Sequence, residues 1–178
     1  DVGIVIFSIA GKLVENPNID RARLWFSKTQ LQPKVSKQAE VVKVDVFRKL
    51  IDDIPLQLET KVRFAVSGRD RELVLGRLLP LQSEPVRLDS PLPARVEEDG
   101  RLRIQVRAGQ WEISLLSRYL APVEKFSVEA MDELWPTQEV WVFQANRQLR
   151  SVKLDGAASV DPSQLNLPQG WSGLSTYL

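Results

Sequence analysis

Six arginines fall between residues 87 and 118, namely Arg87, Arg95, Arg101, Arg103, Arg107 and Arg118. A planar guanidinium takes a carboxylate or phosphate two oxygens at a time. Arg101, Arg103, Arg107 and Arg118 are therefore the candidates for holding an acidic sugar, a phosphate or the carboxylates of a protein partner. Acids such as Glu97 and Glu112 are interleaved with them. The competing expectation is a solvated sheet face whose opposite charges pair across strands, for roughly 0.2–1 kcal/mol a pair. Trp135 is the other candidate binding group. It precedes Pro136 in a predicted loop, where an exposed ring can stack on a sugar or anchor a partner, although aromatics at sheet ends more often close a core. Two acidic clusters, Asp52-Asp53 and Glu97-Glu98-Asp99, raise the chemistry of paired carboxylates or calcium ligands. Neighbouring acids on a strand point to opposite faces, and acids at corners serve turn geometry. Neither cluster is assigned a catalytic role.

Composition closes off much other chemistry, Ser-Lys catalysis and carboxylate-bound calcium or magnesium excepted. The chain has no cysteine and no histidine, which removes disulfides, thiolate nucleophiles, the Ser-His-Asp and Cys-His constellations and the usual zinc sites. No Gly-rich stretch has the spacing that opens a helix beneath a phosphate. The sequence thus assigns no catalytic residue, no cofactor and no metal ligand, and an enzyme is not expected. The 24 basic and 23 acidic side chains leave a formal charge of +1, so no overall field favours nucleic acid or an anionic membrane. Gly3 to Ala10 is apolar but far short of the roughly 20 residues that cross a bilayer as a helix, so no membrane insertion is expected either. Starting at Asp1 without a signal-like segment, the chain is expected to be a piece of a longer protein or a processed mature one.

The elements that must position these residues are strands. Leu102, Ile104 and Val106 share one parity and Arg101, Arg103, Gln105 and Arg107 the other; Trp111, Ile113 and Leu115 likewise oppose Gln110, Glu112 and Ser114. Period two is the mark of a half-buried strand. Ala108-Gly109 between these runs predicts a two-residue hairpin, and Asp99-Gly100 a second turn back to Ala94–Val96. Leu56, Leu58, Thr60, Val62, Phe64 and Val66 form a longer stripe, followed by a turn at residues 67–70 and a return strand from Glu72 to Leu79, in which Gly76 suggests a bulge or a close backbone approach. Further strands are expected over Gly3–Ala10, Ala22–Ser27, Val41–Phe47, Val86–Asp89, Lys125–Glu129, Glu139–Gln144 and Leu149–Leu154, with at most one helical turn at Ala130–Leu134. About ten to twelve strands with frequent turns predict an all-β protein, an antiparallel β-sandwich with little or no helix. Residues 1–156 form the expected domain, any division of it falling in the proline-rich stretch 80–93, and residues 157–178, rich in Pro, Gly and Ser with Trp171 and Tyr177 as the large side chains, are expected as a tail that docks on the domain or a linker that leads into a next one.

The segment Gly100–Leu116, ending AGQWEISLL, resembles the paired strands around a Gly-x-aromatic turn in bacterial PEGA-like and prealbumin-like sandwich modules. Ala108 stands where those modules carry Pro. The resemblance implies an accessory sandwich domain of an extracytoplasmic protein and transfers no residue role. The expected function is a non-catalytic binding or assembly module of a larger bacterial-type protein, periplasmic or at the cell surface, whose partners are other domains of the same protein, a protein partner or a glycan. A carbohydrate-binding module is the first alternative and a carboxylate-based glycan-active enzyme the second.

Overall fold

Rows of β-branched and aromatic residues on one parity, with charges on the other, build pleated strands that bury one face. In the computed structural model such rows make nearly all of the regular structure over residues 8–9, 12–13, 18–20, 23–25, 40–126 and 133–178, which are the residues described. The chain divides into two units, Asp1–Ser36 and Lys37–Leu178. In the first, β1 (Ser8–Ile9) pairs antiparallel with β2 (Lys12–Leu13), and β3 (Asn18–Asp20) with β4 (Arg23–Trp25). The rest of the apolar run Gly3–Ala10 lies outside the described residues.

The second unit holds β5 (Val42–Ile51), β6 (Gln57–Val66), β7 (Arg71–Arg77), β8 (Ser83–Asp89), β9 (Ala94–Val96), β10 (Arg101–Val106), β11 (Gly109–Tyr119), β12 (Val140–Gln144), β13 (Ser159–Val160) and β14 (Ser175–Tyr177), with a single 3-10 turn at Pro162–Gln164. Seven of these form one sheet in the order β13-β14-β12-β5-β6-β11-β8, and three form another, β7-β10-β9. Between the sheets lies the main core, in which Val44, Val46, Val62, Phe64, Ile113 and Leu115 meet Leu75, Leu102, Ile104 and Val106. The unit is a β-sandwich, as the alternation predicts.

Several details differ from the sequence expectation. The large sheet is mixed rather than wholly antiparallel, because β12 runs parallel to β5; a long excursion after β11 returns the chain on the far side of β5, and parallel pairing needs such a crossover. Ala108-Gly109 does not close a hairpin. Strand β10 pairs with β7 and β9 while β11 pairs with β6 and β8, so this link carries the chain from one layer to the other. The corner at 67–70 does the same, since β7 pairs with β10 and not with β6. Parity states which face a strand buries; it does not name the strand alongside. The Asp99-Gly100 turn is as expected, joining β9 to β10 with Gly100 at φ 84°. No strand forms over Leu149–Leu154, and residues 125–126 are likewise irregular; positions 127–129 and 130–132 lie outside the described residues.

Gly76 meets both parts of its expectation. It is skipped where the ladder shifts between Arg101 and Leu102, and the Trp135 ring packs over it so closely that an added Cβ would lie 2.6 Å from ring carbons. Residues 157–178 supply β13 and β14, and Trp171 packs with Phe47 and Val142 on the outer face of the large sheet. Among the described residues no helix is long and apolar enough to cross a membrane.

Candidate functional site

Seven strands are wider than the three that cover them, and the site arises from that mismatch. Beyond the main core the inner face of the large sheet continues through Leu50 and Leu58 to Trp141 and Phe143 of β12, where Leu56, Tyr119, Val123 and Phe126 pack against it. Phe126 meets Tyr119 edge-on at 5.7 Å between ring centroids and lies 6.0 Å from Trp141. At this end a cleft of about 920 Å³ opens between β12 and the irregular chain at residues 150–157. Its apolar walls include Leu56, Phe126, Trp141, Phe143, Val152 and Leu154, and Asp52, Gln138, Glu139 and Arg150 supply polar groups.

The base of this region is ionic. Arg48 stands on the inward parity of β5 with Val44, Val46 and Leu50, is 6% exposed, and meets Glu139, 3% exposed. Arg48 donates from Nε to Glu139 Oε2 at 2.7 Å and from Nη2 to Oε1 at 3.1 Å. Its remaining donors reach Thr60 Oγ1 (3.1 Å) and the carbonyls of Leu78 (3.3 Å) and Arg77 (2.9 Å). Trp135 Nε1 donates to Glu139 Oε1 at 2.9 Å, and the Arg48 guanidinium lies 5.7 Å from the Trp141 ring centre. One charge pair thus ties β5 and β6 to the end of β7 and to the segment that leads into β12. A second buried acid, Asp52, accepts from Arg150 Nε at 2.8 Å and holds the chain beyond β12 in place. Burial pushes the Tyr119 hydroxyl up to about 12, with the Arg48 charge opposing.

The residues singled out by sequence lie elsewhere or play other parts. Trp135, a candidate for an exposed ring, is 3% exposed and belongs to the main core, the competing expectation for it; Gly76 leaves the hollow it fills and Glu139 satisfies its N–H, so no ring face is offered to a sugar. Arg101 and Arg103 lie on the outer face of the three-stranded sheet. Arg103 is ion-paired with both Glu72 and Glu97, and Arg95 reaches Glu97 at 3.0 Å. These two guanidinium groups hold the Glu97 carboxyl below its ordinary range, the Arg103 hydrogen bond contributing most, and Glu97 with Glu72 raises Arg103 in turn. Arg107 follows β10 and stacks over Trp111, 4.7 Å from its ring centre. Arg118 lies on the outer face of the other sheet and pairs with Glu84 at 3.3 Å. The four arginines therefore do not converge on one surface.

Among the described residues no three carboxylates gather where a metal ion could sit. No family model matches the chain, and no curated protein or solved structure matches it. The site must be judged on its own geometry. Sequence reasoning missed Arg48 and Glu139, the two groups that organise it. One signal was present: Arg48 continues the parity of Val44 and Val46, and a charge on a core parity requires a buried counter-charge.

Proposed function

We propose that this chain is a non-catalytic binding and assembly module of a larger protein, and that the cleft beside β12 is the surface that receives its partner. The observation that carries this reading is the part of the large sheet's inner face that, among the described residues, the three-stranded sheet does not cover, where half-buried aromatics border a roomy opening beside a hydrogen-bonded floor. Concave, mostly apolar surfaces with a few fixed polar groups are what ligand sites are made of. The two buried acids beside the cleft are each engaged by an arginine, Glu139 by Arg48 and Asp52 by Arg150. That arrangement favours holding a shape over transferring a proton.

The test is site-specific photocross-linking of the full protein in the cells that make it. A cross-linker replacing Val152, which lines the cleft and is 40% exposed, is expected to give a discrete adduct, whereas one replacing Arg95 on the outer face of the small sheet gives none. Adducts from position 95 alone, or from neither position, would refute the assignment. A glycan is the second reading, favoured by Trp141 standing beside Thr137 and Gln138 in the same lining. It predicts a saturable blue shift of tryptophan fluorescence with one sugar class of a panel of neutral and acidic glycans, and a flat response to every sugar rules it out.

A further inference from the structure

A smaller cavity of about 220 Å³ shares Val123, Lys125, Phe126 and Trp141 with the cleft and continues to Arg48, Arg77, Gln82 and Tyr119. Among the described residues its lining contains three basic residues and no acid. Arg48 brings no net charge, since Glu139 neutralises it and its donors are spent within the protein, and Arg77 is engaged within the protein as well. Lys125 is different: it is exposed and makes no ion pair among the described residues.

Two further observations single this cavity out. Tyr119 is 3% exposed, and its hydroxyl makes no hydrogen bond among the described residues; the oxygen itself is not sealed from solvent, so its donor stays open towards the cavity. A phenol hydroxyl is protonated at neutral pH and is a donor, and burial pushes that of Tyr119 further up, to about 12. The second is Gln82. Among the described residues it is the one non-glycine with positive φ, at 62°, a conformation that side-chain-bearing residues avoid. It sits in the turn at the rim, held where Ser83 Oγ donates to the Pro80 carbonyl at 2.8 Å. Backbone outliers of this kind gather at ligand sites.

We infer that this cavity binds a small organic carboxylate with a flat apolar body. Its carboxylate is received by the Lys125 ammonium and the Tyr119 hydroxyl, and its body lies against Phe126 and Trp141. A single mobile cation and one neutral donor suit a monoanion, and the remaining wall of Pro80, Leu81 and Val123 rewards an apolar body over a fully hydrated ion. The inference goes beyond the assembly role and holds whether or not the neighbouring cleft seats a partner.

Calorimetric titration of the full chain with benzoate, benzamide and inorganic phosphate tests it, with tryptophan fluorescence reporting on Trp141. Benzoate is expected to bind saturably. Benzamide, which keeps the shape without the charge, and phosphate, which keeps a charge without the body, are each expected to bind at least about tenfold more weakly. Lys125→Gln should weaken benzoate about tenfold with no change in melting temperature, since Lys125 is exposed. Tyr119→Phe keeps the ring and should weaken benzoate severalfold. Absence of saturation, equal binding of benzoate and benzamide, equal binding of benzoate and phosphate, or full affinity in Lys125→Gln would each overturn the inference.

Discussion

A charged side chain on the buried parity of a strand survives folding only if its charge is met, and Arg48 is met completely. Its carboxylate partner, its hydroxyl partner and two carbonyls account for its hydrogen-bonding groups. Such pairs are asymmetric: taking away one partner strands the other in low dielectric, whereas replacing both with apolar groups is often neutral or better. Arg48→Met should therefore cost about 3–5 kcal/mol, Glu139→Leu a similar amount, and the double replacement much less than their sum. Urea denaturation of the four proteins measures this, and additive losses would show that the pair is not coupled. The exposed cluster around Glu97 makes a smaller, pH-dependent prediction. Its carboxyl is depressed below the ordinary value of 4.5 by Arg103 and Arg95, so the unfolded chain takes up that proton first as pH falls. The stabilisation is complete above the ordinary value and is lost as pH drops through the depressed one. Between neutral pH and about pH 3 the wild type should lose slightly more stability than Glu97→Gln, which has no proton to take up there. Parallel acid titrations of stability would contradict the direction of the shift.

At the scale of elements the C-terminal segment makes the sharpest prediction. Trp171 is 2% exposed and packs against Phe47 and Val142, with the Lys49 ammonium 5.1 Å and the Lys61 ammonium 5.7 Å from its ring centre. Arg63 donates to the Asn166 carbonyl at 2.7 Å, tying the same segment down again. Replacing a buried Trp by Ala costs about 3–5 kcal/mol, so Trp171→Ala should lower stability by that order in urea. A loss below about 1 kcal/mol would mean that the segment is only loosely attached. Docking on the domain is one of the two expectations for residues 157–178, with Trp171 as a large side chain, but the seat was not legible. A three-residue strand, Ser-Thr-Tyr, carries no alternation, and the ring's partners come from the outer parity of β5, where Phe47 stands between Asp45 and Lys49. The long strands were legible for the opposite reason: β5, β6, β10 and β11 each alternate over many residues and bury one parity. Neighbours were not legible. The links at 67–70 and 107–109 have the Gly and polar residues of hairpins, yet both cross between layers, because turn chemistry sets a local bend and the packing of the two faces decides where the chain goes next. The site was least legible. Arg48 signalled itself by parity, but its partner Glu139 is distant in sequence and stands immediately before β12, outside any alternating pattern.

For the whole molecule the useful question is how much chain the sandwich needs. Every described ladder closes within its own unit: β1 with β2 and β3 with β4 before Ser36, and the seven- and three-stranded sheets after Lys37. Among the described residues the three apolar clusters are built from residues beyond Lys37, as are the Arg48–Glu139 and Asp52–Arg150 pairs. Stability comes mainly from apolar burial between packed layers, and the second unit holds both layers of the sandwich. A chain beginning at Lys37 is expected to fold, to unfold in a single cooperative transition and to keep the urea midpoint of the longer chain within experimental error. The slope of its transition scales with the surface exposed on unfolding, so it should fall only by the small share that the first unit contributes. Ending the same chain after Ala157 is expected to do the opposite. That cut removes β14, which bonds to β12, and uncovers Phe47 and Val142 by taking away Trp171. The midpoint should fall markedly and the dye ANS should bind the exposed apolar face. If instead the chain from Lys37 is unstable while the one ending at Ala157 is not, the first unit supplies stability that the sandwich lacks, and the boundary at Ser36 is not a folding boundary.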